Sequence, residues 1–564
     1  LEPEVIVDRL VRALDDRLRT APVVRRALAK VFPDHWSFML GEIALYSFVV
    51  LVLTGVYLTL FFEPSTAHTT YTGAYEPLNG STTSAAFAST VRLSFDIRSG
   101  LLMRQTHHWA SLVFVGAIVL HLLRIFFTGA FRKPREINWL IGVTMLSLAL
   151  LNGFTGYSIP DDLLSGTGLR IIYSVVESIP LVGEWLVFLA FGGEFPAAET
   201  VPRMFISHVL IVPAILTALI GAHLAIIVRQ KHSQFPGPGR TEYNVVGSRL
   251  WPSYTVRTLA LFAWVLAVLF ALGGLAQINP VWIYGPFTPA QATMPAQPDW
   301  YVAWGDGALR IFPAVEFRIF NHLVPSPFFP GVMVGALTFA GLYLWPFLER
   351  RHTGRRVPHQ LLDAPREHPI RVGVGVGVLT FYAVLLIAAI DDIIATLLQV
   401  SLLDVLSVLQ VLVLALPVPA GIVAYVITRA VRLSAGRGIG DLTRRDLTAA
   451  LRRGSQPDRA GPAVPATVAE RAEMWQERNG TWRWRYRAAD ISLTSNRPYL
   501  SQSEAETAAE TAYPGCSLVA VEPPGGAEPA AARGVRQFGR RAATVGSWLV
   551  LLALGRRRRR RRPD

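Results

Sequence analysis

Cysteine is almost missing from this chain. The single thiol, Cys516 among 564 residues, excludes an intramolecular disulfide, a CxxCH haem-attachment site and a four-cysteine iron–sulfur cluster. Any redox centre must be held by other ligands. Charge is scarce as well: 17% of the residues are Asp, Glu, Lys or Arg and the mean hydropathy is +0.36, whereas soluble domains run near 25% charged. That balance excludes an ordinary cytosolic globule. Half of the net charge of +14 comes from one run, Arg556–Arg562, so the basicity is no nucleic-acid signature and no nucleic-acid partner is expected. The stretch Leu1–Lys30 mixes charged and apolar positions and has no signal-peptide hydrophobic core, so the N-terminus is expected to stay on the side where it is made.

Long apolar runs are what the sequence has in excess. Eight windows can cross about 30 Å of hydrocarbon, which takes roughly 20 helical residues. They are Ile43–Phe62, His107–Thr128, Ile137–Ile159, Met204–Val228, Thr258–Ile278, Phe328–Leu348, Val372–Ile390 and Val405–Ile427. None alternates as a barrel strand would, so each is expected to be a helix. Cations flank them on alternate sides. Arg25, Arg26 and Lys30, then Arg132, Lys133 and Arg135, then Arg229 and Lys231, then Arg350, Arg351, Arg355 and Arg356, then Arg429 and Arg432 mark one face. The other face carries Asp161, Asp162, Glu177, Glu184, Glu194, Asp299, Asp391 and Asp392. Because cytoplasmic loops retain Lys and Arg, eight spans with both termini inside are expected, and the long loops 63–106, 160–203 and 279–327 face outward. The expected fold class is an all-α polytopic membrane protein with eight transmembrane helices, a four-helix core and a small soluble C-terminal module.

Composition divides the chain into an amphipathic cytoplasmic N-terminal segment (1–36), a first four-helix bundle (37–240), a second four-helix region (241–433), a linker (434–476), a small soluble module (477–522) and a tail with the arginine run (523–564). In the module, Trp482, Trp484 and Tyr486 alternate as in a strand, and Ser503–Ala512 reads as a short capped helix. It is faintly similar to a small ββα module of unknown function. The apolar piece Ser547–Leu554 is too short to span, and the arginines after it suit a solvated tail that touches anionic lipid. Gly373–Gly377 imitates a nucleotide fingerprint only superficially, since it lies in a span with no preceding strand.

Among the 12 histidines, His107, His121, His208 and His223 fall inside the second and fourth windows. A titratable group in hydrocarbon is costly, so it marks function more often than a surface group does. His107 and His121 are 14 residues apart and His208 and His223 are 15 apart, in each case roughly four helical turns, so each pair shares a face. The two helices run in the same direction. Two histidine pairs therefore face each other, stacked across the membrane. Facing imidazoles can supply both axial ligands of an iron porphyrin, leaving no open position and favouring electron transfer over oxygen binding. Zinc would ask for four ligands in one shell. Gly41 and Gly55 in the first window and Gly142 and Gly156 in the third repeat the period of 14; such glycines usually mean tight helix packing, but sharing the histidine period points to porphyrin contact. Arg104 and Arg124 stand three residues outside His107 and His121, where a guanidinium would pair with a haem propionate, or else snorkel to the headgroups.

These residues resemble cytochrome b, the quinol-oxidising subunit of cytochrome bc complexes. The resemblance is carried by Gly41 to Gly55, Arg104-Gln-Thr-His-His-Trp109 through His121-Leu-Leu-Arg124, Thr128-Gly-Ala-Phe-Arg-Lys-Pro-Arg-Glu136, Gly156-Tyr157, the His208 and His223 pair, and Pro298-Asp-Trp-Tyr301. It covers about residues 33 to 430 and is closest in character to the actinobacterial type. It implies that His107 and His208 ligate an outer, low-potential haem and His121 and His223 an inner, high-potential one, giving two non-covalent b-type haems. His108 is an adjacent competitor for the role of His107, which the family motif and the 14 spacing favour. The resemblance also implies that Pro298, Asp299, Trp300 and Tyr301 line the outer quinol-oxidation site. There Asp299, where the family has Glu, acts as proton acceptor with a shorter reach, and Tyr301 and Tyr157 offer phenols. His35, Trp36 and Ser37, with Lys231 or His232, lie at the depth of an inner quinone site, although interfacial anchoring accounts for them equally. Further implications are menaquinol as substrate, a Rieske iron–sulfur protein and a cytochrome c subunit as separate partner chains, a terminal oxidase in a supercomplex, a homodimer, and a bacterial cell-membrane location. Two rivals differ in what they lack. A histidine-based, proton-coupled transporter would show no b-type spectrum, and a dehydrogenase membrane anchor would have no use for Asp299.

Overall fold

A computed structural model describes residues 15, 17, 27–291, 297–319, 322–354, 357–434, 471–477, 479–488, 491–495, 498–513 and 516–521. Close contacts divide the chain into two units, Val31–Pro457 and a second made of Leu1–Lys30 with Asp458–Asp564. Most of the 1–36 segment, Arg355 and Arg356, the greater part of the 434–476 linker and the 523–564 tail with its arginines lie outside the described residues.

Among the described residues of the first unit, seven helices are long and apolar enough to span: Trp36–Thr59, Gly100–Phe127, Glu136–Ser158, Thr200–Gln230, Leu250–Leu275, Phe328–Thr353 and Pro369–Ala388. They follow the order of the apolar windows but most begin earlier, because polar residues such as Arg104-Gln105-Thr106 are helical too and extend the helix beyond the apolar window. The eighth window is broken. Leu402–Ala415 and Pro417–Leu433 meet at a bend of 42°. Pro417 lacks an amide hydrogen and cannot continue the helical ladder, so the second helix starts afresh there with Pro417 in its first turn.

The long loops fold locally and cover one end of the bundle. Residues 63–106 form a hairpin, His68–Thr70 with Thr82–Ser84, and a helix, Ala85–Phe95, capped by the Ser84 hydroxyl. Residues 160–203 contain Leu163–Glu177 and Gly183–Phe191, the first opened by a capping box in which the Asp162 carboxylate accepts from Leu164 N at 3.2 Å. The loop after the fifth span carries Trp300–Ile311.

The first span packs along the second and the third along the fourth, while the fifth lies against the first two. Among the described residues, the second and fourth spans make no comparable backbone approach. Phe48, Phe114, Leu146, Val212 and Leu216 share one core cluster, and each lies along its helix between the two histidine levels. The seventh and eighth spans meet through glycine: a Cβ on Gly373 would sit 2.9 Å from Gly421 O. The Gly373–Gly377 alternation is thus a helix-crossing face.

In the second unit a four-stranded sheet is ordered Ser517–Ala520, Arg471–Gln476, Trp482–Ala488, Ile491–Thr494, with the first pair parallel and the others antiparallel. Trp482–Ala488 and the helix Gln502–Ala512, capped by Ser501, occupy the positions read from the sequence. Met474, Trp484, Tyr486, Ala505 and Ala509 form their shared core, and Tyr513 stacks on Tyr486 at 3.8 Å. Strand Arg471–Gln476 is integral to this sheet although composition placed it with the linker.

Candidate redox site

The second span organises the outer level through successive faces of one helix. Gln105 exchanges two hydrogen bonds with Ile278, Nε2 to O at 2.8 Å and N to Oε1 at 2.9 Å. Arg104 Nη2 donates to Asn279 O at 3.0 Å and Trp109 Nε1 to Ala276 O at 2.7 Å. These bonds fasten the end of the fifth span, and so the loop that follows it, to this helix. His107 turns instead toward the fourth span. Its ring faces His208 with 6.1 Å between centroids and a 74° angle between planes.

The outer-level rings are held in defined tautomers. His208 Nδ1 lies 2.9 Å from Asn152 O, and a carbonyl only accepts, so Nδ1 carries the proton and Nε2 keeps a free lone pair. His107 Nδ1 is 2.9 Å from Thr54 Oγ1, whose own hydrogen goes to Val50 O at 2.7 Å. Thr54 is therefore the acceptor, and Nε2 of His107 is left free too. Tying the outer nitrogen of an imidazole in this way is how metal-ligating histidines are oriented. Inner-level His121 and His223 lie within electrostatic reach of each other, and His121 Nδ1 is buried with no protein partner.

This donor set fits an iron porphyrin. A metal bonded at about 2 Å to one nitrogen of each ring separates two imidazole centroids by roughly 6 Å, which the outer pair matches. Among the described residues, no group of three or more His, Cys, Asp or Glu could hold a metal, so a zinc-like shell is not offered. Buried guanidinium nitrogens without protein partners, Arg104 Nε and Arg124 Nε and Nη2, suit propionates. The glycines act more specifically than their period indicated. A Cβ on Gly41 would come within 3.2 Å of the His121 ring, one on Gly55 within 3.2 Å of His107, and one on Gly156 would overlap His208. These three make room for the imidazoles, whereas the Cβ direction of Gly142 meets nothing within 4 Å.

At the end of the bundle expected to face outward, Asp299 immediately precedes the helix Trp300–Ile311, yet its carboxylate makes no capping hydrogen bond. A cap of this kind contributes about 1 kcal/mol, so the side chain is held elsewhere. His108 Nε2 lies 2.8 and 3.0 Å from its two oxygens, and the Tyr301 hydroxyl donates to Oδ2 at 2.9 Å. Burial and the neighbouring Asp299 push the Tyr301 phenol well above its ordinary value, so it stays protonated and donates. Gly153 leaves space for the Tyr301 ring, and a Cβ on Gly116 would sit 3.6 Å from the Trp300 ring. Tyr157 is buried, but its hydroxyl turns to Leu164 O at 3.4 Å rather than to Asp299. Beside the motif, Arg310 bridges Asp306 at 2.9 Å, Asp391 at 2.5 Å and Gln297 Oε1 at 3.0 Å, bracing this helix on the end of the seventh span.

His108 is the residue that sequence reasoning placed wrongly in emphasis, as a competitor of His107. The signal was present, since neighbours on a helix point about 100° apart and cannot serve one site. At the opposite end of the bundle His35 Nδ1 bonds the Ser37 hydroxyl at 2.8 Å and caps the following turn. Burial, with Arg124 and Arg240 nearby, lowers its imidazole below the ordinary value. Trp36 is exposed, Lys231 Nζ donates to Tyr243 O at 3.1 Å, and His232 packs on Phe32. The Arg124 guanidinium lies 4.2 Å over the Phe38 ring.

Comparison with known proteins finds the family model described as cytochrome b (N-terminal)/b6/petB, matching residues 112–286. The chain is 51% identical over 398 residues to the cytochrome bc1 complex cytochrome b subunit of Mycobacterium leprae (strain TN), covering 70% of this chain and 72% of the relative. It is 46% identical over 389 residues to the cytochrome bc1 complex cytochrome b subunit of Streptomyces coelicolor, covering 69% and 71%. A chain of a solved hyperthermophilic respiratory complex III superposes with a TM-score of 0.56 at 23% identity, over 74% of this chain and 99% of that one, a likeness of fold.

Proposed function

Because the chain belongs to the cytochrome b subunit family of cytochrome bc1 complexes, and so is a multi-pass membrane subunit of a quinol–cytochrome c oxidoreductase, we propose that it holds two b-type haems and oxidises menaquinol at its outer face. His107 and His208 would hold the outer haem, His121 and His223 the inner, with Arg104 and Arg124 on the propionates. When bound, the haems would supply one-electron transfer between the two faces. The carrying observation is the His107 and His208 rings, paired with 6.1 Å between centroids and 74° between planes and with both Nδ1 atoms tied off.

The residues of the outer loop act on protons. Quinol oxidation releases two, and the Asp299 carboxylate, reached by Tyr301, is placed to accept one. Trp300 and Pro298 would shape the apolar wall of the site. On the inner side, His35 and its neighbours would line the quinone-reducing site. An electron moved against the membrane potential stores roughly 2.3 kcal/mol per 100 mV. Membership of a bc1 complex brings a Rieske iron–sulfur protein and a cytochrome c as partners, and this chain has too few cysteines for a cluster of its own. A homodimer, a supercomplex with a terminal oxidase, cytoplasmic termini and a place in a bacterial cell membrane complete the reading.

The test is a reduced-minus-oxidised spectrum with haem extraction. Two protohaems per chain are expected, and the absence of a b-type band would overturn the proposal. Asp299→Ala in the assembled complex should lower quinol–cytochrome c turnover by a factor of 10² to 10⁴, the usual weight of a positioned proton acceptor, so about a hundredfold at least.

A further inference from the structure

Asp299 is the first residue before a helix and leaves that helix uncapped, so something draws its carboxylate away. Among the described residues the imidazole on it belongs to His108, whose Nε2 meets both oxygens, at 2.8 and 3.0 Å, across 191 residues of sequence. His108 comes from the second span, one residue after His107, and its backbone is marked one turn on by Ser111, whose hydroxyl donates to His108 O at 2.8 Å. The two side chains are both mostly shielded, with 13% and 15% of their surfaces accessible. An aspartate reaches one methylene less far than the glutamate of the family motif, and a short arm aims only where a partner meets it.

We propose that His108 is a positioning residue for quinol oxidation, which takes the Asp299 carboxylate off its own helix and aims it into the outer site. The inference rests on the reading of Asp299 as the proton acceptor given above. Its physical content is a hydrogen bond to a carboxylate, short and directional, supplied by the same helix that presents His107. The acceptor and the outer imidazole pair are therefore set in one frame. Tyr301, two residues from Asp299 and on the same helix, fixes the second oxygen but cannot by itself set that frame. The role needs a nitrogen donor at this point and no change in the protonation of His108.

Four variants of the assembled complex test it, each assayed for haem content and for quinol–cytochrome c turnover across quinol concentration. His108→Leu is expected to lower kcat by about tenfold to a hundredfold, the usual consequence of a misplaced reacting group, with KM changed little and both haems retained. His108→Gln, which keeps an N–H donor, should recover most of the turnover. The double variant of His108→Leu with Asp299→Ala should be no slower than Asp299→Ala alone. Unchanged kcat in His108→Leu, no recovery with glutamine, independent effects in the double variant, or loss of the outer haem would each overturn the inference. If Asp299→Ala itself leaves turnover intact, the reading of the outer site fails. If it slows turnover while His108→Leu does not, only the role of His108 fails.

Discussion

Alanine at Gly156 would put a methyl group into the His208 imidazole, so the ring must shift from the position in which it bonds Asn152 O. Gly156→Ala is therefore expected to lose the outer haem, read as one protohaem per chain instead of two. Gly142→Ala makes the sharper comparison, because no protein atom lies within 4 Å of that methyl position. The fold should tolerate it, so unchanged thermal stability with reduced haem content would register the porphyrin itself. A second residue reports on pH. Burial pushes Asp162 up from 3.8 to about 6. A carboxyl with a raised pKa binds its proton more tightly when folded, so its favourable contribution is complete below about pH 4 and is lost as pH rises through about 6. Asparagine caps a helix as well as aspartate. Asp162→Asn should thus raise the melting temperature at pH 7.5, by the equivalent of at most roughly 3 kcal/mol, and give no advantage near pH 4. Equal melting curves at both pH values would refute the burial argument. The four histidines could be read from spacing because helical periodicity is a local property. The His108 and Asp299 bond could not, since it depends on how a distant loop is fastened back by Gln105, Arg104 and Trp109.

Among the elements, the fourth span carries the feature that its sequence conceals. Its histidines are 15 residues apart against 14 in the second span. At 100° per residue, 14 positions fall about 40° short of four turns and 15 overshoot by about 60°. Two regular helices would therefore bring one level into register and rotate the other away. The residues Ser207–Ile211 form a π-helical turn with His208 inside it, and such a turn absorbs one extra residue without advancing the face. The two pairs are thereby reconciled. Hydropathy windows cannot show this, because a π turn has no composition of its own, although the unequal spacing was its trace. Deleting Leu210 is expected to restore a regular helix with a spacing of 14 and to keep both haems. Inserting an alanine after Leu216 should rotate His223 by about 100° and cost the inner one. Haem extraction on both variants decides it: loss of haem from the deletion would show that the π turn does not serve register.

For the whole molecule the open quantity is parity, because seven crossings and eight place the C-terminal module on opposite sides of the membrane. The bent pair Leu402–Ala415 and Pro417–Leu433 decides it. A re-entrant loop must reverse its direction, and a bend of 42° does not. At 1.5 Å per residue the two helices are about 21 and 25 Å long. Even with the second tilted by that bend, the pair advances roughly 40 Å, more than the hydrocarbon thickness of about 30 Å. It counts as one crossing, which makes eight and agrees with Arg429 and Arg432 at its far end. The scarcity of cysteine now becomes useful. Cys516 is the one thiol and lies next to the strand Ser517–Ala520 of the C-terminal module, so a membrane-impermeant maleimide reports the side of that module with no engineered label. In right-side-out vesicles Cys516 should stay unmodified, and in inverted vesicles it should react to the extent seen in detergent. Labelling from the outer face at the detergent level would make the number of crossings odd. The bent pair would then have to turn back within the membrane, against its geometry.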